Sequence, residues 1–344
     1  MIPAHNEGPV IRRLLEKLTN GADPGEMDII VVANGCTDDT VEVAASFGPA
    51  VRVLTLPVAS KHEALTAGDR AAEGFPRIYV DADVELRVGD VRALAAALGQ
   101  PGVLAAAPQR ELAMTERPWQ VRWYYDVWAL LPGAQRGLWG RGVIAVNEAG
   151  HARLAGLPAL QADDLAASLM FKPHETALVP GAHVIIHPPR TFAGLLRRRA
   201  RSVTGGAQID RAPGLDGSAD RTQISDLTAI VRRRPAMLLR VGFFLSVAVF
   251  ARLRASRSLV HHDYQTWLRD ESSRVPSATA PARPAAPASG AVPAVPAPAV
   301  PAPAVPAPAV PVPSVSVPEV SVPAVPVPAV PRQLDRRDNV PHNG

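Results

Sequence analysis

Two acids one residue apart, Asp81 and Asp83, close a largely apolar run at residues 75–80. A buried strand that ends on two carboxylates needs a cation or water beside them at neutral pH. A hard divalent ion bridging to a diphosphate suits such a pair, because Mg²⁺ and Mn²⁺ take oxygen ligands and share them with phosphates. A solvated turn carrying two surface acids would give the same tripeptide. A second acidic pair, Asp163 and Asp164, opens the helix-like stretch DDLAASLMF. Carboxylates there can favour the positive end of a helix, or one of them can act as a general base. Positive charge comes from Lys61 and from Arg197, Arg198, Arg199 and Arg201. Arg198 and Arg201 fall on one helical face. They suit a leaving diphosphate or the phosphates of a membrane.

The elements around these groups must bring them to one place. Residues 28–33, 51–54, 77–80 and 103–108 read as short buried strands, and 37–47, 61–73 and 89–98 as helices. Thr37 is the expected N-cap of the first helix, with Asp38 and Asp39 in its first turn. This alternation predicts an α/β fold with a mostly parallel sheet flanked by helices. Ligands bind beyond the carboxyl ends of the strands in such sheets. Residues 3–7, 34–39 and 81–83 all lie at strand ends, so they should converge on one crevice. Residues 1–3 read as the tail of a first strand, which normally needs about five residues. More chain ahead of them is expected, since a missing central strand would leave an unpaired edge.

The rest of the 344-residue chain is of different composition. From about residue 276 to 331 it is almost entirely Pro, Ala, Val and Ser. Each proline fixes φ and removes a donor, so this tail is expected to be a disordered, extended spacer. Three regions follow: a nucleotide-binding domain at 1–205, a helical membrane-associating extension at 206–275, and the tail at 276–344. The formal net charge of +4 and pI near 9.6 come from local arginine clusters at 197–201, 232–234 and 252–257. An anionic partner is expected, either phosphate or an acidic membrane surface. Nucleic acid is not, because no recognition motif is interleaved with these charges. The single cysteine, Cys36, excludes an internal disulfide and fits a reducing, cytoplasmic compartment. Residues 236–253 are the most apolar stretch, with Arg240 near the start. The uninterrupted part, 241–251, is shorter than the roughly 20 residues that span a bilayer. It reads as an interfacial or re-entrant helix at the cytoplasmic face of the plasma membrane, or else as a buried core helix.

In order along the chain, Ile2-Pro3-Ala4-His5-Asn6-Glu7, then Val32-Ala33-Asn34-Gly35-Cys36-Thr37-Asp38-Asp39-Thr40, then Lys61, then Val80-Asp81-Ala82-Asp83-Val84 resemble the family 2 glycosyltransferases of GT-A fold. The resemblance continues through Leu157-Pro158 and residues 161–165 to the arginine run, covering roughly residues 1–205. Residues 267–274 resemble a recurrent ending of bacterial relatives. The resemblance implies metal-dependent, inverting transfer of a sugar from a nucleotide-sugar donor to a hydroxyl acceptor, glycan or lipid-linked. Cell-surface polysaccharide or glycolipid synthesis is the implied setting.

It also implies roles for residues. Asp83 would ligate Mg²⁺ or Mn²⁺ directly, and Asp81 would support the ribose or the metal. Pro3, Ala4, Asn6, Glu7, Asn34 and Gly35 would cradle the nucleotide, with Lys61 on the donor side. Asp164 would be the base and Asp163 its positioning neighbour. Arg198 and Arg201 would face the diphosphate. The glycine-rich loop at 137–142 resembles the family's acceptor-side loop, where Trp139 would stack on a sugar or pack inside. There are departures. Many relatives carry two acids where this chain has Ala33-Asn34, although an Asn can still bond a base edge. The Gln and Trp that longer processive relatives place around two arginines are absent, so only the basic character carries over. A nucleotidyltransferase is the rival enzyme, but it would show a Gly-rich basic loop after the first strand. The other rival is a decayed domain that presents the Pro-rich tail to an unidentified partner. Retention of Asp81, Asp83 and Asp164 argues against decay, and the short first strand argues for it.

Overall fold

A computed structural model describes residues 1–157, 163–212 and 222–260. The Pro-rich tail, the 267–274 ending and residues 158–162 of the acidic motif lie outside the described residues. All the described residues fall in one compact unit, Met1–Ala282.

Strands β1 (Ile2–Ala4), β2 (Ile29–Asn34) and β3 (Val51–Leu56) pair in parallel in that order. A second sheet has the order β4 (Arg77–Val80), β7 (Val143–Val146), β6 (Ala105–Leu112), β8 (Thr176–Ile186), β5 (Glu85–Leu86). In it β7 is antiparallel to both β4 and β6, while β6 and β8 are parallel. Two backbone bonds join the sheets. The Met1 ammonium donates to Ile78 O at 2.8 Å, and the Val80 N–H donates to Met1 O at 2.9 Å. β1 therefore lies between β2 and β4.

Around the sheets run α1 (Gly8–Thr19), α2 (Thr40–Ala45), α3 (Lys61–Ala71), α4 (Val88–Leu98), α5 (Trp119–Trp128), α6 (Pro132–Arg136), α7 (Glu148–Leu154) and α8 (Asp163–Leu169). They are followed by α9 (Phe192–Ile209), α10 (Ile224–Arg233) and α11 (Leu238–Val260). Alternate strand residues face opposite sides. Ile2, Val31, Val80 and Ala145 meet α1, α2 and α4 on one face. Each fully buried leucine of α1, such as Leu14 or Leu15, contributes roughly 1.5–3 kcal/mol. On the other face Ile30 and Val32 meet Ala64 of α3, and separately Ile144 and Val146 meet Leu154 of α7 and Ala167 of α8.

The expected helix from residue 37 starts later, at Thr40, and Thr37 does not cap it. The Asp38 carboxylate accepts from the Thr40 amide and hydroxyl and from the Gly8 amide. Residues 37–39 are thus a turn that ties the second loop to the first.

A second core is helical, joining Val121 and Tyr124 of α5, Leu195 of α9, Leu227 and Ile230 of α10 and Phe244 of α11. α5 and α6 lie between β6 and β7 in sequence. α5 packs in this helical core instead of crossing over the sheet, so β7 returns antiparallel. α9 runs through residue 205 and packs on α5 and α11. α11 buries Val241, Phe244, Val247, Ala251 and Ala255, a stripe at helical spacing that packs on α5 and α9. Arg240, which interrupts the apolar sequence, forms an ion pair with Asp126 of α5 at 3.0 Å. The opposite face exposes Leu238, Leu239, Leu245, Val249, Phe250 and Leu253. By length and composition, residues 235–255 could cross a membrane.

Candidate active site

The first two loops are interlocked. Asn6, at φ 50, accepts the Thr37 N–H at 2.7 Å through its side-chain oxygen. The Glu7 N–H donates to Thr40 Oγ1 at 2.8 Å. Asn34 is buried, and its Nδ2 donates to Ala4 O at 2.8 Å and Val32 O at 3.3 Å, while its Oδ1 accepts the Ser60 N–H at 3.0 Å. Both amide hydrogens are taken up inside the protein, so Asn34 has no donor left for the base edge it was expected to meet. It fastens the ends of β1 and β2 to the start of α3. Gly35 has φ 57, and a Cβ there would stand 2.6 Å from the Ala59 nitrogen. Only glycine fits. Ala4 and Glu7 are buried, whereas Pro3 reaches the cleft beside the acids.

β4 ends where the sequence predicts, and the Asp81 N–H donates to Gly142 O at 2.8 Å. Lys61, the first residue of α3, places Nζ 2.8 Å from Asp81 Oδ1. The Asp83 carbonyl accepts from Arg13 at 3.2 Å. Asp164 receives the Gly140 N–H on Oδ2 and the Leu165 N–H on Oδ1, each at 2.8 Å. One carboxylate thus meets the first turn of α8 and the glycine-rich loop together. Asp163 also opens α8, but its side chain lies outside the described residues. Arg201 of α9 joins the group. Burial and the neighbouring Arg198 lower its guanidinium from the usual range, while Asp83, Asp81 and Asp164 pull it back up. Acids from two distant parts of the sequence, the Asp81–Asp83 turn and Asp164, therefore act on one cation.

Beside them opens a cleft of about 490 Å³, of the size that holds small ligands. Among the described residues no three His, Cys, Asp or Glu side chains form a complete protein cage for a metal. The Asp81–Asp83 turn still suits Mg²⁺ or Mn²⁺, since Mg²⁺-like ions bind through one or two carboxylates and fill their shell from phosphate and water. The donor set fits an ion that arrives with a diphosphate.

Residues 1–152 match the family described as Glycosyl transferase family 2. This segment is a family 2 glycosyltransferase domain. It holds both interlocked loops, Lys61, the acid turn and the glycine-rich loop, while Asp164 and the arginines of α9 lie beyond it. No curated protein matches the chain. Similar solved structures include glucosyl-3-phosphoglycerate synthase from Mycobacterium tuberculosis with phosphoglyceric acid, at 20% identity over 63% of this chain and 80% of that chain, TM-score 0.46. The same synthase with Mn²⁺, uridine-diphosphate-glucose and glycerol 3-phosphate is similar at 22% identity over 63% and 80%, TM-score 0.45. With Mg²⁺ and uridine-diphosphate the figures are 22%, 63%, 79% and 0.45.

Two arginines of the transferase stand outside the residues singled out in the sequence. Arg141 is 2% exposed and donates to Gly137 O, Pro108 O and Gln135 O at 3.0, 3.2 and 3.0 Å. Arg110 lies 4.1 Å over the Trp128 ring and donates to Gly140 O at 3.3 Å and Ala134 O at 2.7 Å. Burial brings Arg141 down to about 10. Burial, with Arg141 and Arg198 nearby, brings Arg110 down to about 9. Together they fix the loop that presents the Gly140 amide to Asp164. Only an arginine flanked by glycines hinted at this. Trp139 packs edge-on to Trp128, with ring centroids 6.3 Å apart and its indole nitrogen buried. Of its two readings, the geometry gives the packing one.

Proposed function

We propose that the protein is a metal-dependent, inverting glycosyltransferase that moves a hexosyl group from a nucleotide-sugar to a hydroxyl acceptor. The observation that carries this reading is the cleft that Lys61, Asp81 and Asp164 line together, with Lys61 2.8 Å from Asp81 and Arg201 near enough for the acids to pull its pKa up. In this reading Asp83, helped by Asp81, would hold Mg²⁺ or Mn²⁺, which would supply positive charge for the donor diphosphate. Lys61, Arg198 and Arg201 stabilise the charge that develops as the diphosphate leaves. Asp164 takes the proton of the acceptor hydroxyl as that oxygen attacks the anomeric carbon. The new glycosidic bond forms on the face opposite the departing phosphate oxygen, which keeps the bonding electron pair. Pro3, Asn6 and Gly35 line the nucleotide side.

A nucleotide titration tests this. UDP, GDP and TDP are each added by calorimetry with and without Mn²⁺. One nucleotide should bind only with metal, and Asp83→Ala should lose that metal-dependent binding. No binding to any of the three overturns the reading.

We also propose that the enzyme works at the cytoplasmic face of the plasma membrane, in cell-surface polysaccharide or glycolipid synthesis. Support comes from α11, whose exposed apolar face lies between Arg232, Arg233 and Arg234 on one side and Arg252 and Arg254 on the other. The buried stripe and the Arg240–Asp126 pair hold this helix against α5 and α9. A helix lying in the membrane plane keeps that packing, whereas a crossing helix would lose it. Flotation with anionic vesicles, and release by Leu245→Glu with Phe250→Glu, is the expected result. Recovery of wild type in the vesicle-free fraction overturns it.

A further inference from the structure

The cleft has a shape that transfer to a plain sugar does not explain. Its floor is the face of β4 and β7, with α3 on one side and α7 and α8 on the other, each packed in its own apolar cluster. α3 forms one wall with Leu65, and α7 and α8 form the other with Leu154 and Ala167, with Leu138 and Ile144 between them. One end holds Lys61, Asp81 and Asp164. The other is closed by Asp69, which accepts from Arg77 at 2.9 Å and Tyr79 OH at 3.0 Å and stands 3.2 Å from His151 Nε2. Lys61 and Asp69 are eight residues apart on α3, so the groove runs roughly 12 Å. Between the two ends the described lining is mostly apolar, with Leu65, Leu138, Ile144, Leu154 and Ala167, and its polar side chains are His62, Thr66 and Tyr79, whose hydroxyl is already given to Asp69.

A sugar ring in this space would bring more hydroxyls than these few polar side chains can bond, and each unmet polar group is costly. A hydrocarbon chain would gain from the same walls. We propose that this groove seats the apolar part of an amphiphilic acceptor, a hydrocarbon chain whose reacting hydroxyl lies at Asp164. The inference rests on the transferase reading and names the chemical class of its acceptor. The chain runs from Asp164 along α3 toward Asp69.

The probes are n-alkyl β-glucosides from methyl to decyl, held below their micelle-forming concentrations. Their binding is measured by calorimetry, with and without UDP and Mn²⁺, on wild type, Leu154→Arg and Ala167→Leu. Leu154 is half-buried at the end of α7, at the edge of its cluster, so the first variant places a charge in the groove with a path to solvent. The second narrows the groove without adding charge. In wild type the dissociation constant should fall roughly fourfold with each added methylene, and both variants should flatten that dependence. A wild-type affinity that ignores chain length overturns the proposal. So does a chain-length dependence that survives in both variants, because the chain then binds elsewhere, as on the exposed face of α11. Failure of UDP to bind counts against the transferase reading alone, since the series run without nucleotide is judged by itself.

Discussion

The backbone amide of Gly140 donates to Oδ2 of Asp164 across 2.8 Å, linking the glycine-rich loop to the first turn of α8. Gly140 sits at φ 67, and Arg110 and Arg141 hold its loop through backbone carbonyls. The orientation of Asp164 is therefore set from outside its own helix. A carboxylate held in this way can receive a proton in a defined direction.

Asp164→Asn keeps an oxygen that can accept the Gly140 amide but removes the proton acceptor. Sugar transfer should fall by roughly 100-fold or more, with nucleotide affinity at the wild-type level. Radiolabelled transfer alongside calorimetry checks both. Unchanged turnover would remove Asp164 from the role of base.

The Lys61–Asp81 pair is about a third exposed on each side, so it adds little to stability. Lys61→Met should leave the melting temperature near that of wild type. Nucleotide diphosphate binding should weaken by roughly tenfold or more, the effect of losing a bond to a charged group. Equal affinities in the two proteins would show that Lys61 does not face the diphosphate.

At Gly35 a side chain meets both a left-handed backbone and the Ala59 nitrogen. Gly35→Ala should cost roughly 2–3 kcal/mol, combining backbone strain with overpacking. Urea denaturation reads this directly, and a midpoint equal to wild type would contradict the geometry.

Acid stability should depend on Glu85, which stands 3.1 Å from Arg13, 3.2 Å from Lys17 and 2.7 Å from His187. Burial pushes this carboxyl up, but His187, Arg13 and Lys17 outweigh it and hold it at about 2, below the usual 4.5. The unfolded chain then binds the proton more readily. The stabilisation is complete above about pH 4.5 and is lost as the pH falls toward 2, up to roughly 3 kcal/mol. Glu85→Gln should be less stable at pH 7 and lose less between pH 5 and 3. Parallel acid limbs in the two proteins would refute the assignment.

Local patterns made much of this site legible in the sequence. β4 covers the residues 77–80 read as a strand, β7 begins and ends with its apolar run, and the acids follow β4 directly. Arg198 and Arg201 do share a helix. What the sequence hid depends on contacts between distant segments. Asn34 looked free to read a base, but its amide is claimed by Ala4, Val32 and Ser60. Thr37 looked like a cap until Asp38 turned toward Gly8 and Thr40. Arg141 drew no reading from the sequence, because nothing in its neighbourhood reveals that carbonyls of Pro108 and Gln135 surround it. The antiparallel return of β7 depends on where α5 finds its core, and no local period encodes that.

Brevity in β1 has a consequence for how the molecule breathes. The strand has only three residues, yet it is bonded on both sides, to β2 and through Met1 to β4. With no free edge, it has little room to fray by itself. Exposing the buried Ile2 and Ala4 requires the strand to leave both β2 and its seam with β4. Amide exchange at these positions should therefore be among the slowest in the protein and should follow its cooperative opening. The loop that leaves Ala4 hangs from this seam, so the nucleotide side of the cleft inherits its slow clock.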